Sequence, residues 1–243
     1  MELHGHTALV TGGARRVGRA IALELASRGA DLVVHHRDST TAAAEVAARV
    51  RDMGRRAVIV RADLTDVAAL DGMIAEIERQ TDGVDLLVNS AAGYLRTPVG
   101  AIDAAAFDAL YQLNLRAPLL LAQALAPGMR ARGGGRIVMI TDVGGVRPWP
   151  AFLPYGATKA GLIYLTRGLA RALAPEILVN AVSPGTVLPP DDFDDAQREA
   201  ERRRTLVGRL GTPEEVARAV AFLLESDFTT GQVLAVDGGK SWR

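Results

Sequence analysis

Tyr155 and Lys159 stand four residues apart, a spacing that could support proton transfer. In a helix, residues i and i+4 lie on one face, one turn apart. An ammonium group beside a phenol favours the phenolate and so lowers the pKa of the tyrosine from its usual value of about 10. A phenol of this kind can act as a general acid towards an atom that receives a hydride. The same pair is common on ordinary helix surfaces, so its meaning depends on a nucleotide-binding turn elsewhere in the chain.

Such a glycine-rich turn follows the first short apolar run. It reads Thr11-Gly12-Gly13-Ala14-Arg15-Arg16-Val17-Gly18 and opens a segment with helical periodicity. Glycines between a strand and a helix let the backbone approach a diphosphate, which the N-terminus of the helix stabilises. Gly12-Gly13 alone could be only a tight turn. Its place between the first strand and the first helix favours nucleotide binding.

The end of the second predicted strand indicates which nucleotide binds. A carboxylate at this tip would bind the ribose hydroxyls of NAD, whereas residues 35–40 are imidazoles, a guanidinium, one aspartate and hydroxyls. Arg37 suits a planar, bidentate grip on a phosphate, which favours NADP(H). Asp38 would weaken that binding, and the segment could also be a solvated strand end with a helix cap at Ser39 or Thr40. After the third strand, Asp63-Leu64 offers a carboxylate that could accept from the adenine amino group or merely begin a turn.

The elements that must position these groups follow from the pattern of apolar runs. Seven runs have the length of strands: Thr7–Thr11, Asp31–His35, Ala57–Arg61, Asp85–Asn89, Arg136–Thr141, Leu178–Ser183 and Gln232–Val236. The segments with helical periodicity are Val17–Arg28, Thr41–Met53, Val67–Gln80, Phe107–Arg130, Tyr155–Leu173 and Pro213–Leu224. Most of the short runs are apolar throughout, which is typical of parallel strands buried on both faces. The alternation predicts an α/β fold in one domain, residues 1–243, with helices on both faces of a parallel sheet.

One stretch lacks this regularity. Pro184–Thr212 contains two adjacent prolines and an acidic run. Long irregular segments in compact domains are often active-site loops. We therefore predict a mobile substrate loop or lid at about 186–212.

The composition limits the partners. Lysine plus arginine and aspartate plus glutamate each total 28, so the formal net charge is zero, which argues against nucleic acid or an anionic membrane as the main partner. The absence of cysteine excludes disulfides and thiolate catalysis, and the four histidines show no metal-ligand spacing. No apolar run is long enough to span a membrane, and the N-terminus lacks signal-peptide features. We expect a cytoplasmic protein with a small-molecule substrate and no metal.

A set of further motifs runs along essentially the whole chain. With the glycine turn at 11–18, Tyr155 and Lys159, they are Asn89 at the end of the fourth strand, Asn114 within Tyr111-Gln112-Leu113-Asn114, Ser183-Pro184-Gly185 and Val236-Asp237-Gly238-Gly239. Together these motifs resemble one family, the short-chain dehydrogenases/reductases. The resemblance implies a single Rossmann-like, doubly wound domain with a seven-stranded parallel sheet, usually assembled as a homotetramer.

The resemblance also implies roles for these residues. Tyr155 is the acid, Lys159 binds the ribose and adjusts the pKa of the tyrosine, and Asn114 supports a water-mediated proton relay. With Asp142, they make four candidate catalytic residues. Pro184-Gly185-Thr186 would line the nicotinamide. The candidate residues for binding NADPH are Gly12, Arg15, Arg16, Val17, Gly18, His36, Arg37, Ser39, Asp63, Leu64, Asn89, Ser90, Ala91, Lys159, Pro184, Gly185 and Thr186.

Three segments depart from the family pattern. Asp142 stands thirteen residues before Tyr155, where the family usually has its catalytic serine. Arg16 takes the place of the second glycine of the turn, and Asn89-Ser90-Ala91-Ala92 replaces the usual Asn-Asn-Ala-Gly. The arginine and the aspartate, with the shape of the segment from His35 to Ser39, resemble a narrower branch, the pteridine reductases, including bacterial dihydromonapterin reductases. In that branch an aromatic side chain sandwiches the pterin against the nicotinamide, and Tyr94 falls at the matching place. Arg16 would contact both the cofactor phosphate and the pterin.

The chemistry of Asp142 supports the same interpretation. A serine hydroxyl can donate to a ketone oxygen as negative charge develops there, whereas an ionised aspartate would repel that oxygen. A carboxylate suits a substrate with N–H or amino donors, and a carboxyl group held protonated can serve as a second acid. Reduced pterins offer both roles, since they carry amino and ring N–H groups and accept a hydride at a C=N carbon. Asp142 could also be a neutral variant in a carbonyl reductase.

The sequence therefore predicts an NADPH-dependent reductase of a pterin-type substrate. Its candidate substrate-binding residues are Arg16, Tyr94, Asp142 and Tyr155. The alternatives are an NADPH-dependent carbonyl reductase of 3-oxoacyl thioesters, sugars or small ketones, and a catalytically weak NADPH-binding protein. Trp149 could border the substrate pocket or belong to the core or a subunit contact. Lys240, the only lysine besides Lys159, receives no role from the sequence.

Overall fold

A sheet of seven parallel strands forms the centre of the protein. The structure, a computed structural model, describes residues 1–189 and 193–242. The strands are β1 (Thr7–Val10), β2 (Asp31–His36), β3 (Ala57–Arg61), β4 (Leu86–Asn89), β5 (Gly135–Ile140), β6 (Ile177–Pro184) and β7 (Val233–Val236). They lie in the order β3-β2-β1-β4-β5-β6-β7, and every neighbouring pair is parallel.

Helices cover both faces of the sheet. They are α1 (Arg16–Ser27), α2 (Thr40–Asp52), α3 (Val67–Gln80), α4 (Ala104–Tyr111), α5 (Ala117–Ala131), α6 (Leu153–Leu173), α7 (Asp195–Arg203) and α8 (Pro213–Glu225). The apolar sides of α1, α2 and α8 pack on one face, and those of α3, α5 and α6 pack on the other. In β1, Ala8 and Val10 belong to the first core and Leu9 to the second, so the strand is buried on both faces as its apolar run predicts. Within the described residues, no helix is both long and apolar enough to cross a membrane.

The strand order places a crevice at the centre of the sheet. From β1 the chain builds outward through β2 and β3 on one side, and through β4 to β7 on the other. Where the direction reverses, between β1 and β4, the connections after the two strands diverge. Ligands of doubly wound sheets bind at the carboxyl ends of the strands beside this reversal.

The predicted strands and helices match the structure, except that one predicted helix is divided into two. All seven predicted strands are present, and the predicted helix over Val67–Gln80 is α3. The single helix predicted over Phe107–Arg130 is instead two helices, because the π-helical segment Gln112–Arg116 separates α4 from α5. Such π segments occur often at functional sites, and this one carries Asn114.

The stretch predicted as an irregular loop or lid, residues 186–212, contains a helix. Asp194 caps α7: its carboxylate accepts from the N–H of Gln197, whose side chain accepts from the N–H of Asp194. Beyond the helix, the N–H of Leu206 donates to the carbonyl of Gly238 at 2.8 Å. Residues 190–192 of the predicted lid lie outside the described residues. The described part is therefore more ordered than its composition indicates.

Candidate active site

A cleft of about 1390 Å³ opens at the carboxyl ends of the strands. It exceeds the roughly 300–1,000 Å³ of a pocket for one drug-sized ligand. All of the predicted site residues line it except Asn89 and Asn114. One part, the nucleotide end, is formed by residues from the segments 12–18, 35–39 and 62–64, and the other, the chemical end, by residues from the segments 90–94, 140–159 and 184–188.

The turn at the nucleotide end requires its glycines. Gly12 has a φ of +64°, which is a conformation that side chains disfavour. A Cβ on Gly18 would lie 2.2 Å from the carbonyl oxygen of Gly12. The first turn of α1 therefore packs directly on the backbone after β1, as a diphosphate site requires.

A histidine that sequence analysis did not assign to the site holds this turn. Nδ1 of His35 accepts from the N–H of Gly12 at 3.1 Å, and Nε2 donates to the carbonyl oxygen of Ala62 at 3.1 Å. Burial lowers the pKa of His35 to about 4, so the ring is neutral and can accept through one nitrogen while donating through the other. His36, which the sequence analysis predicts to bind the cofactor, also lines the cleft. Its buried Nδ1 has no partner in the described residues, and its contact with the cofactor stays a prediction. The alternation of side chains along β2 was the available signal that only one of the two could face the turn.

Arg16 bridges the cleft. Its φ is +50°, and no other non-glycine residue in residues 1–189 and 193–242 has a positive φ. Glycine adopts this conformation readily, which explains why the family pattern has a glycine at this position. Its guanidinium donates to the carbonyl oxygen of Leu188 at 2.8 Å and so joins the glycine turn to the loop after β6. Its predicted contacts with a phosphate and a substrate stay predictions.

An exposed charged corner adjoins the nucleotide end. Nε of Arg37 donates to Oδ2 of Asp38 at 2.6 Å, and a guanidinium nitrogen of Arg61 lies 3.8 Å from the other oxygen. Asp38 thus lies between two cations, and the corner keeps a net positive charge. Asp63 accepts from the hydroxyl and the N–H of Thr65, and these hydrogen bonds lower its pKa. Asp63 therefore caps the turn before α3, which is one of the two roles predicted for it.

At the chemical end, β5 and α6 bring Asp142, Tyr155 and Lys159 together. The hydroxyl of Tyr155 donates to Oδ2 of Asp142 at 3.0 Å, and Oδ1 of Asp142 accepts from the N–H of Gly144 at 2.6 Å. Nζ of Lys159 lies 5.7 Å from the centre of the Tyr155 ring and donates to the carbonyl oxygen of Ile140 at 2.8 Å. Tyr155 and Lys159 are 5% and 3% exposed, so these groups interact with little screening by water.

The environment shifts the pKa of each of the three groups towards its neutral form. Burial raises the pKa of Asp142, although Gly144, Lys159 and Tyr155 oppose the shift. Burial and the adjacent carboxylate raise the pKa of Tyr155 well above its ordinary value, which corrects the expectation that Lys159 lowers it. Burial lowers the pKa of Lys159 to about 8. The phenol thus keeps its proton, and Asp142 takes one up more readily than an exposed aspartate would.

Asn114 lies behind the cleft and supports it. Its Oδ1 accepts from the N–H of Gly93 at 2.8 Å, and its Nδ2 donates to the carbonyl of Gly93 at 2.9 Å and to the hydroxyl of Thr158 at 3.2 Å. The amide therefore ties the loop after β4 to α6, next to Tyr94 and Lys159. Asn89 is also buried, and its Oδ1 has no partner in the described residues. The predicted relay through Asn114 and the cofactor contact of Asn89 stay predictions.

Aromatic rings form one wall of the chemical end. Tyr94 stacks on Phe152 with ring centres 4.6 Å apart and 15° between the planes, and it meets Tyr155 edge-on at 4.9 Å. Trp149 contacts Phe152 at 6.2 Å and lines the cleft. A flat ring could therefore lie along this wall within reach of the Tyr155 hydroxyl.

The residues present fit a nicotinamide dinucleotide phosphate. Gly12 and Gly18 allow the turn after β1 to pack closely against Ala91 and the first turn of α1, whose N-terminus can stabilise a diphosphate. The arginine corner suits a phosphate on the ribose. Lys159 supplies a buried cation 5.7 Å from the centre of the Tyr155 ring. In the described residues, no group of three or more His, Asp or Glu side chains is placed to hold a metal ion.

Fold and cleft together define a dinucleotide-binding oxidoreductase of the α/β class. A family model described as enoyl-(acyl carrier protein) reductase matches residues 12–241. The chain belongs to the short-chain dehydrogenase/reductase family.

Its relatives share a fold and differ in substrate. The chain is 34% identical over 241 residues to the 3-oxoacyl-[acyl-carrier-protein] reductase of Synechocystis sp., covering 98% of this chain and 97% of the relative. Among solved structures, FolM alternative dihydrofolate reductase 1 from Brucella canis, complexed with NADP, is 33% identical with a TM-score of 0.93, covering 100% and 96% of the two chains. A gluconate 5-dehydrogenase from Burkholderia cenocepacia, in complex with NADP and tartrate, is 35% identical with a TM-score of 0.92, covering 100% and 97%. The substrate of this chain therefore depends on the side chains of its own site.

Proposed function

We propose that the protein is an NADPH-dependent reductase that adds a hydride to the C=N bond of a pterin-type substrate, such as a dihydropterin or dihydrofolate. The hydrogen bond from Tyr155 to the partly buried carboxyl of Asp142, at 3.0 Å, carries the proposal. A carboxylate here would repel a developing oxyanion, whereas it can accept from the N–H groups of a reduced pterin. The likeness to the FolM dihydrofolate reductase supports this reading.

The nucleotide end binds the cofactor, which supplies the hydride when bound. The glycine turn and the start of α1 hold the diphosphate, Arg37 contacts the phosphate on the ribose, and Lys159 binds the second ribose. The relatives complexed with NADP support NADPH as the reductant.

The chemical end supplies the proton. Because burial raises the pKa of both Tyr155 and Asp142, the pair enters the reaction with a proton to give. Tyr155 releases it to the substrate nitrogen, and the ammonium of Lys159 stabilises the phenolate that develops. Asp142, within hydrogen-bond distance of the phenol, can return a proton to it or hold a substrate N–H. Tyr94 and Phe152 offer a flat surface against which a planar heterocycle can stack.

A carbonyl reductase is the second candidate, and the identity to the 3-oxoacyl reductase of Synechocystis favours it. In that reaction the substrate oxygen gains negative charge beside Asp142. The carboxyl must then be protonated to donate to that oxygen. The raised pKa of Asp142 makes this chemistry accessible.

A substrate panel separates the candidates. NADPH oxidation is followed with dihydrobiopterin, dihydrofolate and an acetoacetyl thioester, and NADPH binding is titrated by fluorescence. We expect turnover of at least one of the pterin-type substrates at higher kcat/KM than the thioester. Turnover confined to the thioester would contradict the pterin proposal. Binding of NADPH with no turnover would favour a catalytically weak binding protein.

The proposal includes a homotetramer, as the family resemblance implies. Aromatic side chains on two adjacent helices support it, because Phe107 and Tyr111 on α4 and Tyr164 on α6 are 40%, 45% and 77% exposed. Apolar patches of this kind mark interfaces. Light scattering after size-exclusion chromatography tests it: a mass of one chain would contradict the assembly. The cytoplasmic location expected from the sequence stays a prediction.

A further inference from the structure

Lys240 forms a buried ion pair beside the chemical end. It begins the short 3₁₀ turn Lys240–Trp242, and its Nζ lies 2.7 Å from Oε2 of Glu201 on α7. The two residues are 8% and 9% exposed, and both line the cleft. Burial of two charges costs desolvation free energy that close geometry and further hydrogen bonds must offset. The pair is therefore a poor source of stability unless it fixes an arrangement.

Thr186 completes this arrangement. Its hydroxyl donates to the same carboxylate oxygen of Glu201 at 2.7 Å, and Nζ of Lys240 lies 2.8 Å from the hydroxyl oxygen. Nζ also lies 5.1 Å from the centre of the Trp149 ring. The ammonium thus contacts the loop after β6, helix α7 and the aromatic wall at one point.

The carboxylate of Glu201 is fully committed to this cluster. Its second oxygen accepts from the guanidinium of Arg204. Burial acts to raise the pKa of Glu201, but the hydrogen bonds from Lys240 and Thr186 outweigh it and lower the pKa. Glu201 therefore stays ionised and paired with Lys240 at neutral pH.

The main chain anchors the lysine from the opposite side. The carbonyl oxygen of Lys240 accepts from Arg147 at 3.2 Å, and its N–H donates to the carbonyl of Asp237 at 3.1 Å. The same C-terminal turn accepts from the N–H of Leu206 through Gly238. Main-chain hydrogen bonds thus hold Lys240 in place, and its ammonium in turn binds α7 and Thr186.

We propose that Lys240 and Glu201 are positioning residues that hold Thr186 and α7 in place at the chemical end. Their effect falls on the substrate and on the nicotinamide, which Thr186 is predicted to line, and less on the diphosphate and phosphate contacts, which lie at the nucleotide end. The inference rests on the proposed reductase function of the cleft. It assigns to the second lysine of the chain a role distinct from that of Lys159.

Kinetics of matched variants test the proposal. Lys240→Met leaves the carboxylate of Glu201 buried without its main partner, and we expect KM for the substrate that turns over to rise by about 10- to 100-fold as the site is displaced. The affinity for NADPH should change less than KM, because the diphosphate and phosphate contacts at the nucleotide end are untouched, and Lys240→Arg should restore part of the loss. The double variant Lys240→Met/Glu201→Leu should also recover part of it, because no unpaired charge remains.

Arg28→Met is the control. It breaks the Arg28–Glu225 ion pair, which is 2.8 Å long and remote from the cleft, and it should lower the melting temperature without changing KM.

A second readout is independent of turnover. In a Trp242→Phe background, Trp149 is the only tryptophan, and its emission reports on the ammonium beside it. Lys240→Met and Glu201→Gln should change this emission and speed tryptic cleavage within residues 198–204, whereas Arg28→Met should do neither. Unchanged KM in Lys240→Met, with stability lowered as in the control, would overturn the proposal. If no substrate of the panel turns over, unchanged emission and cleavage would overturn it, and changes in both would uphold the positioning although the reductase function had failed.

Discussion

The two ends of the cleft differ in the groups that form them: main-chain atoms at the nucleotide end and ionisable side chains at the chemical end. At the nucleotide end the main chain forms the site: Gly12 and Gly18 pack without side chains, the neutral ring of His35 accepts from the turn, and the cations beside it are exposed. At the chemical end, ionisable side chains are buried against one another, with Tyr155 bonded to Asp142 at 3.0 Å. The first end can recognise a constant ligand by shape, and the second can adjust the acidity of reacting groups.

This difference teaches where specificity resides. Solved relatives at 33% and 35% identity both hold NADP, yet one is a dihydrofolate reductase and the other a gluconate dehydrogenase. A backbone-built site tolerates sequence change, because it depends on few side chains. Buried charges do not, because each sets the pKa of its neighbours. Changes to the reacting groups of Asp142, Tyr155 and Lys159 should therefore alter rates, and changes at the nucleotide end should alter the affinity for the cofactor.

Removal of the phenol should have the largest effect. Tyr155→Phe deletes the proton donor and its hydrogen bond to Asp142, and we expect kcat to fall by about 10²- to 10⁴-fold. NADPH binding should be retained, since the nucleotide end is untouched. Steady-state NADPH oxidation and fluorescence titration measure the two quantities. A loss of kcat below tenfold would mean that another group supplies the proton.

The second largest effect should be a pH dependence of kcat/KM that arises from Lys159 at the chemical end. Burial lowers the pKa of Lys159 from 10.5 to about 8, so the free enzyme loses this ammonium as the pH rises through about 8. We expect kcat/KM to fall above that pH by about tenfold per unit. Between about 8 and 10.5 the unfolded chain binds more protons at this lysine, so its contribution to the free energy of unfolding should rise with pH. A flat kcat/KM profile to pH 10 would contradict the assignment of Lys159.

The smallest effect should come from the exposed corner. Arg37→Ala removes one cation from the expected phosphate site, and we expect Kd for NADPH to rise by about tenfold while Kd for NADH stays unchanged. Asp38→Ala is the matched control, and it should tighten NADPH binding because the repulsion is removed. Titrations with both nucleotides measure this. Equal losses for NADPH and NADH would place the selecting phosphate contact elsewhere.

The sequence predicted the features that depend on local pattern. Apolar runs located all seven strands, the spacing of Tyr155 and Lys159 indicated a pair on α6, and the family resemblance added Asp142, which lies after β5. Position relative to strands also located the glycine turn, because its chemistry depends on adjacent residues.

The features that sequence analysis missed depend on contacts between distant segments. Lys240 meets Glu201 only because the C-terminal turn and α7 pack together. The direction of the pKa shift of Tyr155 depends on burial, which the pairing with Lys159 does not reveal. His35 differs from His36 only in the face of β2 that it occupies.

The role of Asp142 is tested most directly by a ratio: kcat/KM for a dihydropterin over kcat/KM for an acetoacetyl thioester, measured for the parent protein and for Asp142→Ser. We expect the parent to prefer the dihydropterin. The serine variant should lose about 10- to 1,000-fold of its pterin reduction and keep or improve its thioester reduction, because a hydroxyl can donate to a carbonyl oxygen. The same ratio in both proteins would show that Asp142 plays no part in the choice of substrate and would contradict the proposed chemistry.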